Sequence, residues 1–119
     1  MKKFISGRIK AVYYSLKGAF CLIKTEHSIQ AQLFFSLLFI VAGFYLDISK
    51  VEWMFQILAI SLVLTTESLN TAIEKILDFV HPDYNEKVGF IKDISAGAVF
   101  FAFIFALFTA LMIYLPKLL

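Results

Sequence analysis

The sequence predicts an all-α membrane protein, an amphipathic surface helix followed by three transmembrane helices. Three observations predict it. Apolar residues make up 61% of the 119-residue chain and the mean hydropathy is +0.83, against about 45–50% apolar in a soluble domain. Apolar stretches run through residues 30–46, 51–66 and 93–115, lengths that reach or approach a bilayer span. Polar, turn-forming segments separate them, at Asp47-Ile48-Ser49-Lys50 and from His81-Pro82 to Lys92. A single domain, residues 1–119, accounts for this length. Cys21 is the only cysteine, which excludes an intrachain disulfide. Lys and Arg recur through the first 24 residues, so no cleaved signal peptide is expected.

Residues 1–25 read as the surface helix. Phe4, Ile5, Ile9, Val12, Tyr13, Leu16, Phe20 and Ile23 recur at three- and four-residue steps, with Lys10, Lys17 and Lys24 seven apart on another face. A basic helix with aromatics suits an anionic leaflet, where each Lys or Arg contributes about 1 kcal/mol. A plain membrane anchor explains most of these lysines. Thr25-Glu26-His27-Ser28 interrupts the pattern, and Thr25 or Ser28 is placed to cap the next helix. Glu26 then stands before the first span, where a carboxylate is more often a helix-dipole partner than a ligand. His27 reads as a polar interfacial residue.

Residues 30–46 form the first span, at the lower length limit. Trp53, just past the following turn, suits the interfacial aromatic belt. Residues 51–80 form the second membrane helix, which runs without Pro or Gly into a polar segment until His81-Pro82 ends it. Residues 83–92 read as a polar loop. Residues 93–115 form the third span. It opens on Ser95, Ala96, Gly97 and Ala98, small residues that allow close helix packing, and Pro116 is expected to stop it.

Lys and Arg placement sets the orientation. Lys2, Lys3, Arg8, Lys10, Lys17 and Lys24 precede the first span, and Lys75, Lys87 and Lys92 surround the loop after the second. The first turn holds only Lys50 and the C-terminus only Lys117. The two basic regions therefore share the cytoplasmic side. Glu67, Asn70, Glu74 and Asp78 are spaced three, four and four apart and fall within about 80° of one helix face. A charge at mid-bilayer costs about 2.5–3.5 kcal/mol on the insertion scale, so such residues usually face a partner, an ion or water. A stripe already outside the membrane and simply solvated is the plain alternative, stronger for Asp78 than for Glu67. Glu26 and Lys92-Asp93 gather at the same interface.

Several carboxylates with basic residues nearby suit a divalent cation and a phosphate ligand, because Mg²⁺ is usually held by one or two carboxylates plus phosphate oxygens and water. Phosphoryl transfer needs cationic stabilisation and a base for the attacking hydroxyl. Glu67 lies where a lipid hydroxyl would sit, and Glu74 two turns nearer the water. The sequence holds no G-x-x-x-x-G-K-[ST] and no kinase-type glycine-rich loop. The residues alone reach an interfacial acidic site for metal and phosphate, and they choose no substrate.

The run Glu67-Ser68-Leu69-Asn70-Thr71-Ala72-Ile73-Glu74, then Asp78, then Lys92-Asp93, resembles the signature of the prokaryotic diacylglycerol kinase family, which includes undecaprenol kinases. Tyr14-Ser15-Leu16-Lys17-Gly18 resembles that family's surface-helix motif, Glu26 its acidic residue before the first span, Leu46-Asp47-Ile48 its first turn and Asp83-Tyr84-Asn85 its second loop. The resemblance implies a homotrimer in the bacterial cytoplasmic (inner) membrane, with its active site on the cytoplasmic face. It implies transfer of the ATP γ-phosphate to a lipid hydroxyl, with Mg²⁺. Glu67 would be the general base, and Glu26 and Glu74 would hold the metal. Asp83, Tyr84, Asn85, Lys92 and Asp93 would lie beside the nucleotide. Asn70 and Asp78 would orient the site. Arg8 and Tyr14 would reach it from the surface helix, Arg8 only with a one-residue shift in register.

Gln30 and Gln32 stand where the best-known diacylglycerol kinases carry charged side chains, and Ala96 stands where they have serine. These departures bear on the substrate rather than the reaction. The expected partners are ATP, a membrane lipid alcohol, the bilayer and further copies of the chain, with no nucleic acid. The acceptor is diacylglycerol, giving phosphatidic acid for phospholipid biosynthesis, or alternatively undecaprenol, giving undecaprenyl phosphate. A non-enzymatic assembly protein, or an ion-conducting oligomer lined by Glu67 and Glu74, would be a different class.

Overall fold

A computed structural model describes all residues 1–119 as four helices joined by short connections: α1 (Lys2–Thr25), α2 (His27–Tyr45), α3 (Lys50–Val80) and α4 (Glu86–Leu118). The last three are long and apolar enough to cross a membrane. α3 and α4 pack antiparallel along their length, α2 lies against α3, and α1 makes its main contacts with α2. The molecule measures 51 × 47 × 23 Å. Three helices side by side, each roughly 10 Å across, do not fill that breadth, so α1 projects away from the bundle.

The elbow between α1 and α2 is Glu26, in extended conformation. Neither Thr25 nor Ser28 caps α2, contrary to the expectation from sequence; Glu26 occupies the cap position without a side-chain cap bond. The physical reason is local. The Thr25 hydroxyl donates back to the Cys21 carbonyl at 2.8 Å. Gln30 reaches across the elbow, its amide nitrogen donating to the carbonyls of Ile23 (2.9 Å) and Lys24 (3.2 Å). Gln30 thus closes the end of α1.

At the other end of α2 the chain reverses through Asp47, which takes a left-handed φ of 52°, a conformation Asp tolerates better than most residues. Ser49 and Glu52 then form a reciprocal capping box that starts α3. Trp53 folds over Gly43, where an added Cβ would lie 2.8 Å from the indole ring. α3 runs to Val80 and His81 caps it, as the His-Pro pair predicts.

α4 differs from expectation at both ends. The polar loop is only residues 81–85, because Asn85 caps a helix that begins at Glu86, accepting from the Lys87 amide at 2.8 Å. Pro116 does not stop the helix, which continues to Leu118. So close to the end, proline removes a single helical donor, and the Leu119 amide still reaches the Leu115 carbonyl at 3.1 Å.

Only 13 of 119 residues are buried, and large side chains such as Phe34, Phe101 and Phe108 face outward. Such a surface is foreign to a soluble monomer and suits lipid or neighbouring copies. The α3–α4 seam is built from small and polar residues, among them Ala59, Asn70, Thr71, Ser95 and Ala102.

Candidate active site

α3 is the spine of the site. Counting from Lys50 at about 1.5 Å per residue, a hydrocarbon core of about 30 Å ends near residue 70. Glu67 therefore lies just inside the boundary, and Glu74 roughly 10 Å further out along the helix. Glu67 is half-buried, and its Oε2 accepts from the Gln32 side-chain amide of α2 at 3.2 Å. Asn70 is buried; its Nδ2 donates to Glu74 Oε1 at 3.3 Å while its Oδ1 has no partner. Asp78 accepts from Lys92 of α4 at 2.8 Å, and Glu74 adds to the negative field at that lysine. From the elbow, the partly buried Glu26 pairs with the exposed Lys75 at 3.1 Å. The stripe thus gathers partners from α2 and α4, and the elbow reaches the same helix through Lys75.

Two cross-helix pairs, Lys92–Asp78 and Tyr114–Gln56, fix the register of α3 on α4. That register brings Ser95 level with Glu74 and Lys75. The Ser95 hydroxyl is buried and has no hydrogen-bond partner. Some helical hydroxyls bond back to a carbonyl four residues earlier, as Ser36 does to Gln32 (2.6 Å) and Ser68 to Leu64 (2.7 Å); Ser95 does not. No three His, Cys, Asp or Glu side chains gather into one cluster.

The sequence profile of the prokaryotic diacylglycerol kinase family matches residues 13–114. Undecaprenol kinase of Bacillus subtilis (strain 168) is 30% identical over 109 residues, covering 92% of this chain and 89% of the relative. Diacylglycerol kinase of Escherichia coli (strain K12) is 34% identical over 101 residues, covering 85% and 83%. Diacylglycerol kinase of Haemophilus influenzae (strain ATCC 51907 / DSM 11121 / KW20 / Rd) is 31% identical over 94 residues, covering 79% and 80%. The chain belongs to the prokaryotic diacylglycerol kinase family. It is accordingly a lipid kinase, and with three spanning-length helices it is a multi-pass membrane protein.

Within this family member the expected site residues fall into two groups. Glu26, Glu67, Asn70, Glu74, Asp78 and Lys92 lie at one end of the bundle, in four separate pairs: Glu67 with Gln32, Asn70 with Glu74, Glu26 with Lys75, and Asp78 with Lys92. The others make no contact with this group. Arg8, outside the matched region, lies over the Phe4 ring at 5.1 Å, and Tyr14 is exposed with its ring edge-on to Tyr13. Asp83 gives its carbonyl to the His81 ring at 2.7 Å, Tyr84 covers Gly89, and Asn85 is occupied as a cap. Asp93 is exposed beside Lys92. Sequence reasoning tied Gln32 to the substrate without giving it a contact to Glu67, and did not place Ser95 in the site. For Gln32 the available signal was a carboxamide inside an apolar span. For Ser95 a small-residue run concealed it.

Proposed function

We propose that this chain transfers the γ-phosphoryl group of ATP to the hydroxyl of a membrane lipid at the cytoplasmic face of the bacterial inner membrane, as a homotrimer. The observation that carries this reading is Glu67. It is a half-buried carboxylate at the hydrocarbon boundary, held by Gln32 and continuous along one helix face with Glu74 and Asp78.

A lipid hydroxyl floats at the depth of Glu67, and a nucleotide arrives from the water where Glu74, Asp78 and Lys92 stand. Glu67 takes the hydroxyl proton, the freed oxygen bonds to the γ-phosphorus, and the bond to the β-phosphate oxygen breaks to release ADP. Lys92, positioned by Asp78, neutralises phosphate charge. The donor set fits Mg²⁺. Glu26 and Glu74 are carboxylates engaged by Lys75 and the Thr25 hydroxyl and by the Asn70 amide respectively, and Asn70 Oδ1 is a buried oxygen without a partner. Glu26 and Glu74 would hold the ion, which when bound spreads the charge of the phosphates. The outward-facing apolar surface supports assembly with further copies, which would complete the enclosure of the stripe. Diacylglycerol and undecaprenol are the acceptors that the relatives' names bring.

Purified protein in mixed micelles, given Mg²⁺ and γ-labelled ATP with each lipid, should yield labelled lipid phosphate. No labelled lipid from folded protein would overturn the reading. Glu74→Gln should raise the Mg²⁺ concentration needed for half-maximal rate; an unchanged Mg²⁺ titration would remove Glu74 from that role.

A further inference from the structure

Two carboxylates of the site are each paired with a lysine, and the two lysines differ. Lys92 is held by Asp78 and has a part in the proposed transfer. Lys75 has none. Its ammonium crosses from α3 to the elbow and lies 3.1 Å from Glu26 Oε1, with the lysine side chain 67% exposed and that of Glu26 22%. The elbow holds without this pair. The Glu26 amide donates to the Leu22 carbonyl at 3.0 Å, and the Glu26 carbonyl accepts from the Gln30 amide at 3.1 Å. The Gln30 side chain closes the end of α1 over the same stretch. A lysine so exposed adds little to stability. What the pair does is electrostatic: it sets a monovalent cation on one proposed metal ligand, Glu26, from the residue next to the other, Glu74.

We infer that Lys75 is a positioning residue that holds Glu26 as a provisional cation, so that the site takes a divalent ion together with its nucleotide in preference to the bare ion. This rests on the lipid kinase reading and on Glu26 as a metal ligand within it. Glu26, Glu74 and Asp78 stand against Lys75 and Lys92, three carboxylates to two ammonium groups, which leaves one negative charge. For Glu26 to turn its charge on a metal ion, Lys75 must give it up. A bare divalent ion offers the displaced ammonium nothing and repels it. A metal–nucleotide complex brings phosphate oxygens, and the lysine has a flexible stem and three rotatable donors with which to meet them. Little in the protein draws Lys75 elsewhere. Asp78, three residues on, is taken by Lys92, and Glu74 accepts from Asn70. Released from Glu26, Lys75 adds a second cation to that of Lys92 against the phosphate charge.

The test titrates Mn²⁺, followed by electron paramagnetic resonance, into the full-length protein in micelles without nucleotide. Lys75→Met removes the charge and keeps most of the stem. It should bind Mn²⁺ about fivefold more tightly than the unchanged protein, while its KM for Mg·ATP rises about fivefold, each the worth of one exposed ion pair. A lysine that merely braced the elbow would weaken both. Lys75→Arg keeps the charge and should keep both values. Glu26→Gln should weaken Mn²⁺ binding, and in that background Lys75→Met should change it no further. Lys75→Gln repeats the measurement should Lys75→Met not fold. Mn²⁺ affinity unchanged or lowered in Lys75→Met, a KM that does not rise, or no Mn²⁺ bound by either protein would overturn the inference. Labelled lipid phosphate from the same preparation would then leave the kinase reading standing. Mn²⁺ affinity unmoved by Glu26→Gln would remove Glu26 as a ligand and the inference with it. No labelled lipid from folded protein would overturn both readings.

Discussion

The two ends of the helix bundle handle their polar groups in opposite ways. At the end that holds the α2–α3 turn, polar groups are matched. Ser49 and Glu52 cap each other, Lys117 reaches Glu52 at 3.4 Å, and the Tyr114 hydroxyl bridges Gln56 Oε1 (2.5 Å) and the Phe39 carbonyl (3.0 Å). At the end that holds the elbow, the carboxylates are partly exposed, and Gln32 Oε1, Asn70 Oδ1 and Ser95 Oγ are buried without partners. A buried polar atom left unpaired costs about 1–3 kcal/mol. The three unmatched atoms lie at the end where the proposed site stands, and the matched groups at the other.

The sharpest way to break that contrast is Glu67→Gln. A carboxamide keeps the shape and much of the hydrogen bonding but cannot take a proton. Turnover should fall by about 10²–10⁴, while unfolding in detergent and ATP binding stay near those of the unchanged protein. Turnover within a few-fold would remove Glu67 as base. Gly43→Ala is the mirror experiment at the matched end. The new methyl would press into the Trp53 ring at 2.8–2.9 Å and against Ile48 at 3.1 Å. Overpacking of this kind costs about 1–3 kcal/mol. Trp53 is the single tryptophan, so its fluorescence reports the loss directly, and kcat of the folded fraction should be unchanged.

Much of this contrast was legible in the sequence, for physical reasons that differ by residue. The Glu67–Asp78 stripe was readable because helical spacing alone places it on one face, and the chain continues from Met54 without a helix breaker. The apolar lengths of α2, α3 and α4 were readable because hydrophobicity fixes them locally. The start of α4 was not, because Glu86–Lys92 mixes three charges and Gly89 with Val88, Phe90 and Ile91, and its helicity is supported by the Asn85 cap and by the Lys92–Asp78 pair across to α3. Gln30 and Gln32 look equivalent in sequence, yet one closes the α1–α2 elbow and the other holds Glu67. The bend at Glu26 and the position of α3 separate them, and both are tertiary facts. The roles that the resemblance carries to Arg8 and Tyr14 find no counterpart within one chain, where both side chains meet only aromatic neighbours on α1.

Smaller changes sharpen the comparison at its centre. Tyr114→Phe removes a hydroxyl that bridges two helices and leaves Gln56 Oε1 unpaired. It should cost about 1 kcal/mol of stability, read as a lower thermal midpoint in detergent with no change in the ATP or Mg²⁺ requirement. Ser95→Ala is the opposite case. Its hydroxyl is buried to the same degree as Tyr114 but bonds to nothing in the protein. Removing it discards an unmet polar group and keeps the seam with α3 close-packed, so the thermal midpoint should hold or rise slightly. If the hydroxyl meets a phosphate oxygen or a metal-bound water in the working enzyme, the KM for Mg·ATP should rise about fivefold, the worth of one hydrogen bond of about 1 kcal/mol. A stability loss like that of Tyr114→Phe, with an unchanged KM, would show that Ser95 is satisfied within the fold, and would erase the distinction between the two ends at that position.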